Sequence, residues 1–387
     1  MTKPLQITQT NIPPGFIDLG AGEPQLDLLP LELLRSAAAH RLSLGERELL
    51  QYGAEQGDGY FRLALAKFLS PRYGFQVSHD ELFVTNGISS ALDLLCTLYT
   101  QPGDTVFVEE PTYFLALRIF ADHGLRVASI RTDESGLVMD DLIHALSQTK
   151  PKFVYVIPSF QNPSGHTLPP ERRERLLALA QEHGFLIVAD EVYQFLAYTQ
   201  TPPASFGAHI DSGHVVALGS FSKILAPGLR LGWLHAHPGI IQKIVTCGLL
   251  DSAGGLNPFT SAVVRSLIEN GDLDRNISHL VSVLGKRMKV MDEAIKRHLP
   301  QVKYTSPHGG YFFWLQAPGV DAQELQKKAR DYNVGLRPGV RFSSRNGLND
   351  YFRLSVSFYG EEDIREGVLR LKKCFDEKSM ADISARH

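Results

Sequence analysis

The sequence has little of several features that mark specialised classes of protein. Only three of its 387 residues are cysteines (Cys96, Cys247 and Cys374), too few and too scattered for a disulfide framework or a zinc site, and we predict no metal site. The formal net charge of −3 and the lack of a basic segment argue against a nucleic-acid-binding protein. No apolar run approaches the length of a membrane span.

The remaining composition is that of an ordinary soluble globular protein. Hydrophobic residues make up 43% of the chain and charged residues 21%, and the length suits two domains. Residues 1–14 are polar and lack the apolar segment of a secretory signal. We therefore predict a cytoplasmic protein without nucleic-acid or membrane partners.

Short apolar segments alternate with helical patterns between about residues 80 and 235. These segments have the composition of buried strands and lie at residues 82–85, 105–108, 126–130, 153–157, 185–189 and 214–218. The alternation predicts an α/β fold with a mostly parallel sheet covered by helices on both faces. A helical pattern at about 278–298 leads to a smaller α+β unit with strands at 309–315 and 351–356.

Polar side chains follow the ends of these predicted strands. Tyr113, Asn162 and Asp190 each come directly after a strand or in the loop behind it. Ligands of open α/β sheets bind at the edge where the carboxyl ends of the strands meet, so we expect a ligand site there. The alternative for Asp190 is the N-cap of a following helix. The Asn162–Pro163 bond is a candidate cis peptide.

The segment 219–233 combines a lysine with groups that bind an anion. The amine of Lys223 can form a Schiff base with a carbonyl if its surroundings keep it partly unprotonated. The hydroxyls of Ser220 and Ser222 and the guanidinium of Arg230 suit a dianionic phosphate. A carbonyl cofactor that carries a phosphate is pyridoxal phosphate (PLP). The alternative is a surface lysine beside a Gly/Ser loop.

Two further positions suit anions. The turn at Gly87, between a strand and a helix predicted from residue 91, offers unpaired backbone N–H groups to a phosphate, or is simply a helix start capped by Ser89 or Ser90. Arg353 interrupts an apolar strand, and a buried arginine needs an anion. That anion is either a substrate carboxylate or the partner in an internal salt bridge.

Together these motifs resemble the fold-type I PLP-dependent aminotransferases of class I/II from about residue 18 to 375. The branch with 2-aminoadipate and kynurenine aminotransferases and the effector domains of MocR-type regulators is the most similar. The motifs are Gln51-Tyr52-Gly53, Thr85-Asn86-Gly87, Pro111-Thr112-Tyr113, Asn162-Pro163-Ser164-Gly165, Asp190-Glu191-Val192-Tyr193, Ser220-Phe221-Ser222-Lys223 with Arg230, and Arg353.

The resemblance implies a large PLP-binding domain with a seven-stranded-type sheet and a smaller α+β domain. We place an N-terminal arm with part of the small domain at residues 1–45, the large domain at 46–285 and the C-terminal small domain at 286–387. The family also implies a homodimer with shared active sites. The reaction would move an amino group between an L-amino acid and a 2-oxo acid.

The resemblance also implies a role for each motif. Lys223 would hold PLP as an aldimine and move the proton at the substrate's α-carbon, while Asp190 would pair with the pyridinium nitrogen. Tyr193 and Asn162 would donate hydrogen bonds to the phenolic oxygen, and Tyr113 would stack on the ring. The groups implied to hold the phosphate are Gly87, Ile88, Ser89, Ser220, Ser222, Arg230 and, from the neighbouring subunit, Tyr52. Those implied to bind the substrate carboxylate are Arg353, Gly22 and Asn162.

Two departures from the family limit what can be transferred. At Ile88 and Ser89 many relatives carry a longer polar side chain, so this phosphate contact is expected from the backbone. The arm before Asp18 is short and rich in proline, where aminoadipate-type enzymes use a mobile helix to choose the side chain. The substrate therefore stays open.

Alternatives for the side chain and for the reaction remain. Aromatic residues favour a large apolar or aromatic side chain, and they are Phe16, Tyr113, Tyr311, Phe312 and Phe342. Arg337 and Arg341 favour a second carboxylate instead. The alternative reaction is that of a C–S lyase, and a PLP-binding sensor domain is a third hypothesis, although no DNA-binding segment precedes the arm.

Overall fold

The computed structural model describes residues 7–384, with side chains for residues 7–376. Residues 1–6 of the predicted N-terminal arm lie outside the described residues, and so do residues 385–387 of the predicted C-terminal domain. Within the described range, no helix has both the length and the apolar character needed to cross a membrane.

The described chain contains strands, α-helices and short 3₁₀ helices. The strands are β1 Ile17–Asp18, β2 Leu82–Thr85, β3 Thr105–Glu110, β4 Arg126–Asp133, β5 Gly136–Leu137, β6 Phe153–Val156, β7 Leu186–Asp190, β8 Val215–Ser220, β9 Gly232–Ala236, β10 Phe312–Gln316, β11 Val334–Gly335, β12 Arg337–Pro338 and β13 Tyr351–Ser355. The α-helices are α1 Leu31–Ser43, α2 Gly59–Tyr73, α3 Ile88–Tyr99, α4 Phe114–Asp122, α5 Met139–Gln148, α6 Pro170–His183, α7 Pro238–Val245, α8 Gly248–Ala253, α9 Pro258–Glu269, α10 Asp272–His298, α11 Ala322–Asp331 and α12 Glu361–Ser384. The 3₁₀ helices are Leu26–Leu28, Arg47–Leu50, His79–Glu81, Phe206–Ser212, Pro227–Leu229 and Gly339–Phe342.

The large sheet confirms the predicted α/β class and has the strand order β2-β9-β8-β7-β6-β3-β4-β5. Strands β8, β7, β6, β3 and β4 pair in parallel, whereas β9 is antiparallel to both of its neighbours. Seven strands form the main sheet, and the two-residue β5 adds an eighth at its edge. Strand β9 was not predicted from the sequence, because its apolar residues directly follow the lysine loop and resemble a continuation of it.

Some predicted boundaries were wrong. Helix α3 begins at Ile88, three residues before the predicted start, because Gly87 takes the N-cap position with a φ of 83°. No side chain caps this helix, so the alternative of a cap by Ser89 or Ser90 is wrong. Helix α10 begins at Asp272 rather than near residue 278.

Buried side chains alternate between the two faces of the large sheet. In β6, Phe153 and Tyr155 belong to the core under α2, α3 and α4, while Val154 and Val156 belong to the core under α5 and α6. This period of two is what a strand buried on both faces requires. Tyr155 pairs with Val188 of the neighbouring strand β7, and Asp190 lies two residues beyond Val188. The side chains of Tyr155 and Asp190 therefore lie on the same face of the sheet.

A second core lies under the three-stranded antiparallel sheet β10-β13-β12. Phe313 and Leu354 from this sheet pack there with Met291 of α10, and Ile17 and Leu19 of the N-terminal arm join them. In contrast, α1 packs against α9 of the large unit. Segment 1–45 thus contacts both cores, and the domain boundaries stay a prediction.

We expect Gly219→Ala to lower the free energy of unfolding by about 1–3 kcal/mol, the usual cost of overpacking a core. A methyl group at Gly219 would lie 2.0 Å from Cε2 of Trp233, which is itself buried in the adjacent strand. The change is measured by denaturant unfolding. Gly248→Ala is the control, because nothing lies within 4 Å of the added carbon. Equal stability of the two variants would contradict the prediction.

Candidate active site

A cavity of about 300 Å³ lies where the carboxyl ends of the parallel strands meet. Of the predicted site residues, Gly87 and Tyr52 do not line it. Those that do are Gly22, Ile88, Ser89, Tyr113, Asn162, Asp190, Tyr193, Ser220, Ser222, Lys223, Arg230 and Arg353. A larger open cleft of about 930 Å³ lies behind the loop after β6 and holds none of the predicted site residues. The smaller cavity is therefore the candidate active site.

Lys223 reaches this cavity from the loop that follows β8. Its Nζ donates a hydrogen bond to the carbonyl oxygen of Gly22 at 3.0 Å and lies 5.2 Å from the centre of the Tyr311 ring. Burial lowers the pKa of Lys223 to about 8, against a weaker opposing effect of the Glu23 carboxylate. On the order of a tenth of the amine is thus unprotonated at pH 7, far more than for an ordinary lysine, and this fraction can act as a nucleophile or base. The alternative of a surface lysine is wrong.

Asp190 ends β7 with its carboxylate buried beneath the cavity. Its Oδ2 accepts a hydrogen bond from the Tyr155 hydroxyl at 2.8 Å and its Oδ1 accepts one from the Val192 N–H at 3.2 Å. Burial raises the pKa of Asp190 to about 6, although both hydrogen bonds oppose the shift. No helix begins directly after Asp190, since the next helical segment of the described chain is the 3₁₀ helix Phe206–Ser212, so the helix N-cap alternative is wrong.

Aromatic hydroxyls surround the space between these two residues. Tyr193 is buried, and its ring centre lies 5.4 Å from that of Tyr311. Burial raises the pKa of Tyr193 well above its ordinary value and that of Tyr113 to about 12. Both phenols therefore stay protonated and can donate a hydrogen bond at neutral pH.

The predicted anion site is assembled at the start of α3. No side chain caps this helix, so its first N–H groups are left without a side-chain partner, and its first residues, Ile88 and Ser89, line the cavity. The helix dipole favours negative charge there. The Ser220 and Ser222 hydroxyls lie 2.9 Å apart, and Nη2 of Arg230 donates to the Asn86 carbonyl oxygen at 3.0 Å. A Cβ on Gly87 would lie 3.0 Å from Nη2 of Arg230, so a glycine keeps this space open.

Arg353 is buried and, among the described residues, forms no salt bridge. Its Nη1 donates to Oδ1 of Asn162 at 2.8 Å and its Nη2 to the Gly20 carbonyl oxygen at 2.9 Å, while Nε has no partner. The guanidinium lies 4.0 Å above the centre of the Phe312 ring. Burial lowers the pKa of Arg353 to about 10, so it stays positively charged at neutral pH. The alternative of an internal salt bridge is wrong.

These groups fit pyridoxal phosphate. The phosphate matches the uncapped helix start, the two hydroxyls and Arg230. The protonated ring nitrogen suits Asp190, a buried carboxylate that forms no salt bridge with any described residue. The carbonyl carbon of the cofactor can react with the unprotonated amine of Lys223.

The structure brings together only part of the residues considered for a substrate side chain. Among the aromatic residues, Tyr113 and Phe312 line the cavity, while Phe342 is fully buried behind it. Arg337 lines the cavity but is bound to Asp18 by two hydrogen bonds of 2.9 and 3.2 Å. Arg341 is exposed and lies outside the cavity lining.

Three residues that shape the site were not predicted from the sequence. Tyr155 was treated as a core residue of an apolar strand, although its hydroxyl binds Asp190. Glu23 follows Gly22 in the arm and lines the cavity. Asn257 donates hydrogen bonds to Oδ1 of Asn86 and to the carbonyl oxygen of Arg230. The alternation of strand side chains would have found Tyr155, but nothing in the sequence pattern marked the others.

Comparison with known proteins identifies the family of this arrangement. The sequence model of the family "Aminotransferase class I and II" matches residues 14–371. The chain is 35% identical to aromatic-amino-acid aminotransferase 1 of Thermococcus litoralis, over 97% of the chain and 90% of the relative. It is 34% identical to 2-aminoadipate transaminase of Thermus thermophilus, over 95% of the chain and 91% of that relative. The solved kynurenine aminotransferase of Pyrococcus horikoshii, a complex with PMP, superposes with a TM-score of 0.88 at 34% identity over 94% of the chain and 91% of that structure.

We expect Lys223 of the cofactor-free protein to titrate near pH 8, because burial destabilises its charged form. Pulse labelling with acetic anhydride, followed by mass spectrometry, gives its reactivity as a function of pH. A short lysine peptide in the same reaction is the control and titrates near pH ~10.4. A midpoint for Lys223 equal to that of the peptide would contradict the burial argument.

Proposed function

This chain belongs to the class I and II aminotransferases, and we propose that its amino donor binds between Lys223 and Arg353. The chain is a pyridoxal phosphate-dependent aminotransferase, which moves an amino group between an amino acid and a 2-oxo acid. The residues that perform each step are our proposal, and so are the oligomeric state and the location.

One observation carries the assignment of the site residues. A single cavity holds a lysine with a lowered pKa, together with a buried carboxylate and a buried guanidinium that form no salt bridge within the described part of the chain. Each of these charges is costly to bury alone. Each also matches one charged or reactive group of the cofactor or of an amino acid.

Lys223 and Asp190 carry the chemistry. When bound, pyridoxal phosphate supplies a ring that takes up the electrons released as the donor's α-C–H bond breaks. Nζ of Lys223 removes the α-proton as a base and returns it as an acid, a role that suits a pKa close to the working pH. The Asp190 carboxylate holds positive charge at the ring nitrogen, and Tyr155 keeps that carboxylate oriented.

The remaining residues bind and orient. Because Oδ1 of Asn162 accepts from Arg353, its Nδ2 is left to donate toward the cavity. The Tyr193 hydroxyl would donate there as well, and the Tyr113 ring in the cavity lining would help to hold the cofactor. Arg353 binds the donor's α-carboxylate with the help of Gly22, where a Cβ would lie 3.4 Å from Nη2 of the arginine.

We also propose a homodimer in which Tyr52 completes the anion site of the partner subunit. Tyr52 is 81% exposed and does not line the cavity of its own chain, yet it sits beside the Gly53–Gly255 bridge. Arg230 is also exposed in the single chain. Several large apolar side chains are also exposed in the single chain, and a second subunit could bury them; they include Leu31, Leu50, Tyr60, Leu249 and Phe259.

The location of the protein is a separate proposal. Cys96 and Cys247 are thiols, and no helix in the described residues could cross a membrane. The cytoplasmic location predicted from the sequence stays a prediction.

The first experiment follows the visible absorption of the cofactor-loaded protein. We expect a visible band that is lost in Lys223→Ala and that disappears from the wild type when an amino donor is added without an acceptor. One equivalent of 2-oxo acid per site should form. Continuous release of 2-oxo acid and ammonia with retention of the band would instead show a lyase.

The second experiment tests the shared site. We expect Tyr52→Ala to weaken cofactor binding about tenfold, which is the size of one lost hydrogen bond to a charged group. Co-expression with Lys223→Ala should restore wild-type affinity at one site per hybrid dimer, because that site combines Lys223 of one subunit with Tyr52 of the other. Hybrids that keep the weak affinity would show that Tyr52 acts within its own subunit or not at all.

A further inference from the structure

Asn257 contacts the anion site but has no role in the function described above. It lies between α8 and α9 in a left-handed conformation with a φ of 52°, and its side chain does not cap α9. Its Nδ2 instead donates to Oδ1 of Asn86 at 2.6 Å and to the carbonyl oxygen of Arg230. A side-chain amide has two N–H groups, so Asn257 directs both of them to residues outside its own loop.

The two residues that Asn257 contacts frame the anion site. Asn86 directly precedes Gly87, the N-cap of α3, and its carbonyl oxygen accepts a hydrogen bond from Nη2 of Arg230 at 3.0 Å. Asn86, Arg230 and Asn257 therefore form a closed set of three hydrogen bonds. This set ties the loop after β2 and the loop before β9 to the segment before α9.

Arg230 needs such support more than an ordinary surface arginine. Its backbone is left-handed, with a φ of 48°, which is an uncommon conformation for a residue with a side chain. The residue is exposed, and it forms no ion pair within residues 7–376. A mobile arginine loses rotamer freedom when it binds an anion, and this loss weakens binding. A group that fixes the backbone of Arg230 and the acceptor of its guanidinium therefore strengthens the site.

We infer that Asn257 is a positioning residue that holds Arg230 and the start of α3 in place for the phosphate of the cofactor. This rests on the proposed function, in which the phosphate binds at Ser220, Ser222 and Arg230. Asn257 does not line the cavity, so it acts on the phosphate through its neighbours. Asparagine suits the position, because it tolerates the left-handed conformation and supplies two donors.

The loop of Asn257 also offers a second route to a phosphate. Gly255 pairs with Gly53 in an isolated bridge, and the Gly255 N–H donates to the Gly53 carbonyl oxygen at 2.8 Å. Gly53 follows Tyr52, which completes the partner's anion site in the proposed function. A substitution at Asn257 that moved this loop would act through Tyr52 instead of Arg230, so the experiment separates the two routes.

The test measures the binding of PLP, and of pyridoxal without the phosphate, to the cofactor-free protein by visible absorption. Asn257→Gly removes both hydrogen bonds, while glycine adopts the left-handed conformation without strain. We expect this variant to bind PLP about tenfold more weakly, which is the size of two ordinary hydrogen bonds. Pyridoxal binding should stay within about twofold, because pyridoxal has no phosphate to place in the anion site. A general loss of structure would weaken both.

Double mutants identify the route. In an Arg230→Ala background, the effect of Asn257→Gly on PLP binding should fall to about threefold or less, because the group that Asn257 positions is gone. In a Tyr52→Ala background the effect should remain about tenfold. The opposite pattern, a full effect without Arg230 and none without Tyr52, would show that Asn257 acts on Tyr52 and would overturn the inference.

The controls separate this inference from the proposed function. Asn346→Gly changes another left-handed asparagine, with a φ of 56°, that is exposed and outside the cavity lining, and it should leave both affinities unchanged. Asn257→Ala must weaken PLP binding as well, which keeps the test usable if Asn257→Gly misfolds. Unchanged PLP binding, or equal losses for PLP and pyridoxal, in folded Asn257 variants would contradict the inference alone. A wild type that binds PLP no more tightly than pyridoxal would refute the anion site of the proposed function and the inference with it.

Discussion

The site depends on buried charged groups that form no salt bridge among the described residues. Desolvation brings the pKa of Asp190 up to about 6, that of Lys223 down to about 8 and that of Arg353 down to about 10. All three shifts favour the neutral form, which is the expected response of isolated charges in a poorly polar environment. A folded chain keeps such groups only if packing elsewhere offsets the cost, and in the proposed function their partners are the cofactor and the substrate.

Neighbouring groups hold each of these charges in place. Tyr155 reaches Asp190 because side chains alternate along adjacent parallel strands, and Asn162 fixes Arg353 from the other side of the cavity. Asn162 lies in a loop held by Glu109, whose carboxylate accepts hydrogen bonds from the Ile157 N–H at 2.9 Å and from the Gln161 side chain at 3.3 Å. The Asn162–Pro163 peptide of this loop is cis, as predicted, and so is Glu110–Pro111.

The cavity is assembled from distant parts of the chain. Lys223 and Asp190 come from the large sheet, Arg353 from β13 beside the second core, and Gly22 and Glu23 from the N-terminal arm. The hydrogen bonds from Lys223 to Gly22 and from Arg353 to Gly20 join these parts. The arm therefore acts as one wall of the site.

The sequence by itself determined the α/β class and the residues that carry reactive or anion-binding groups, because strand alternation and the chemistry of Lys223, Asp190 and Arg230 are local properties. It left open whether Arg353 met a substrate or an internal carboxylate, and whether Arg337 was available for a second one. Only the tertiary structure decided these points, since ion pairing depends on which charges distant segments bring together. Arg337 pairs with Asp18 across 319 residues of chain, and Arg353 meets Asn162 across 191. No local pattern records such distances, which is also why Glu23 went unnoticed until the fold placed it beside Lys223.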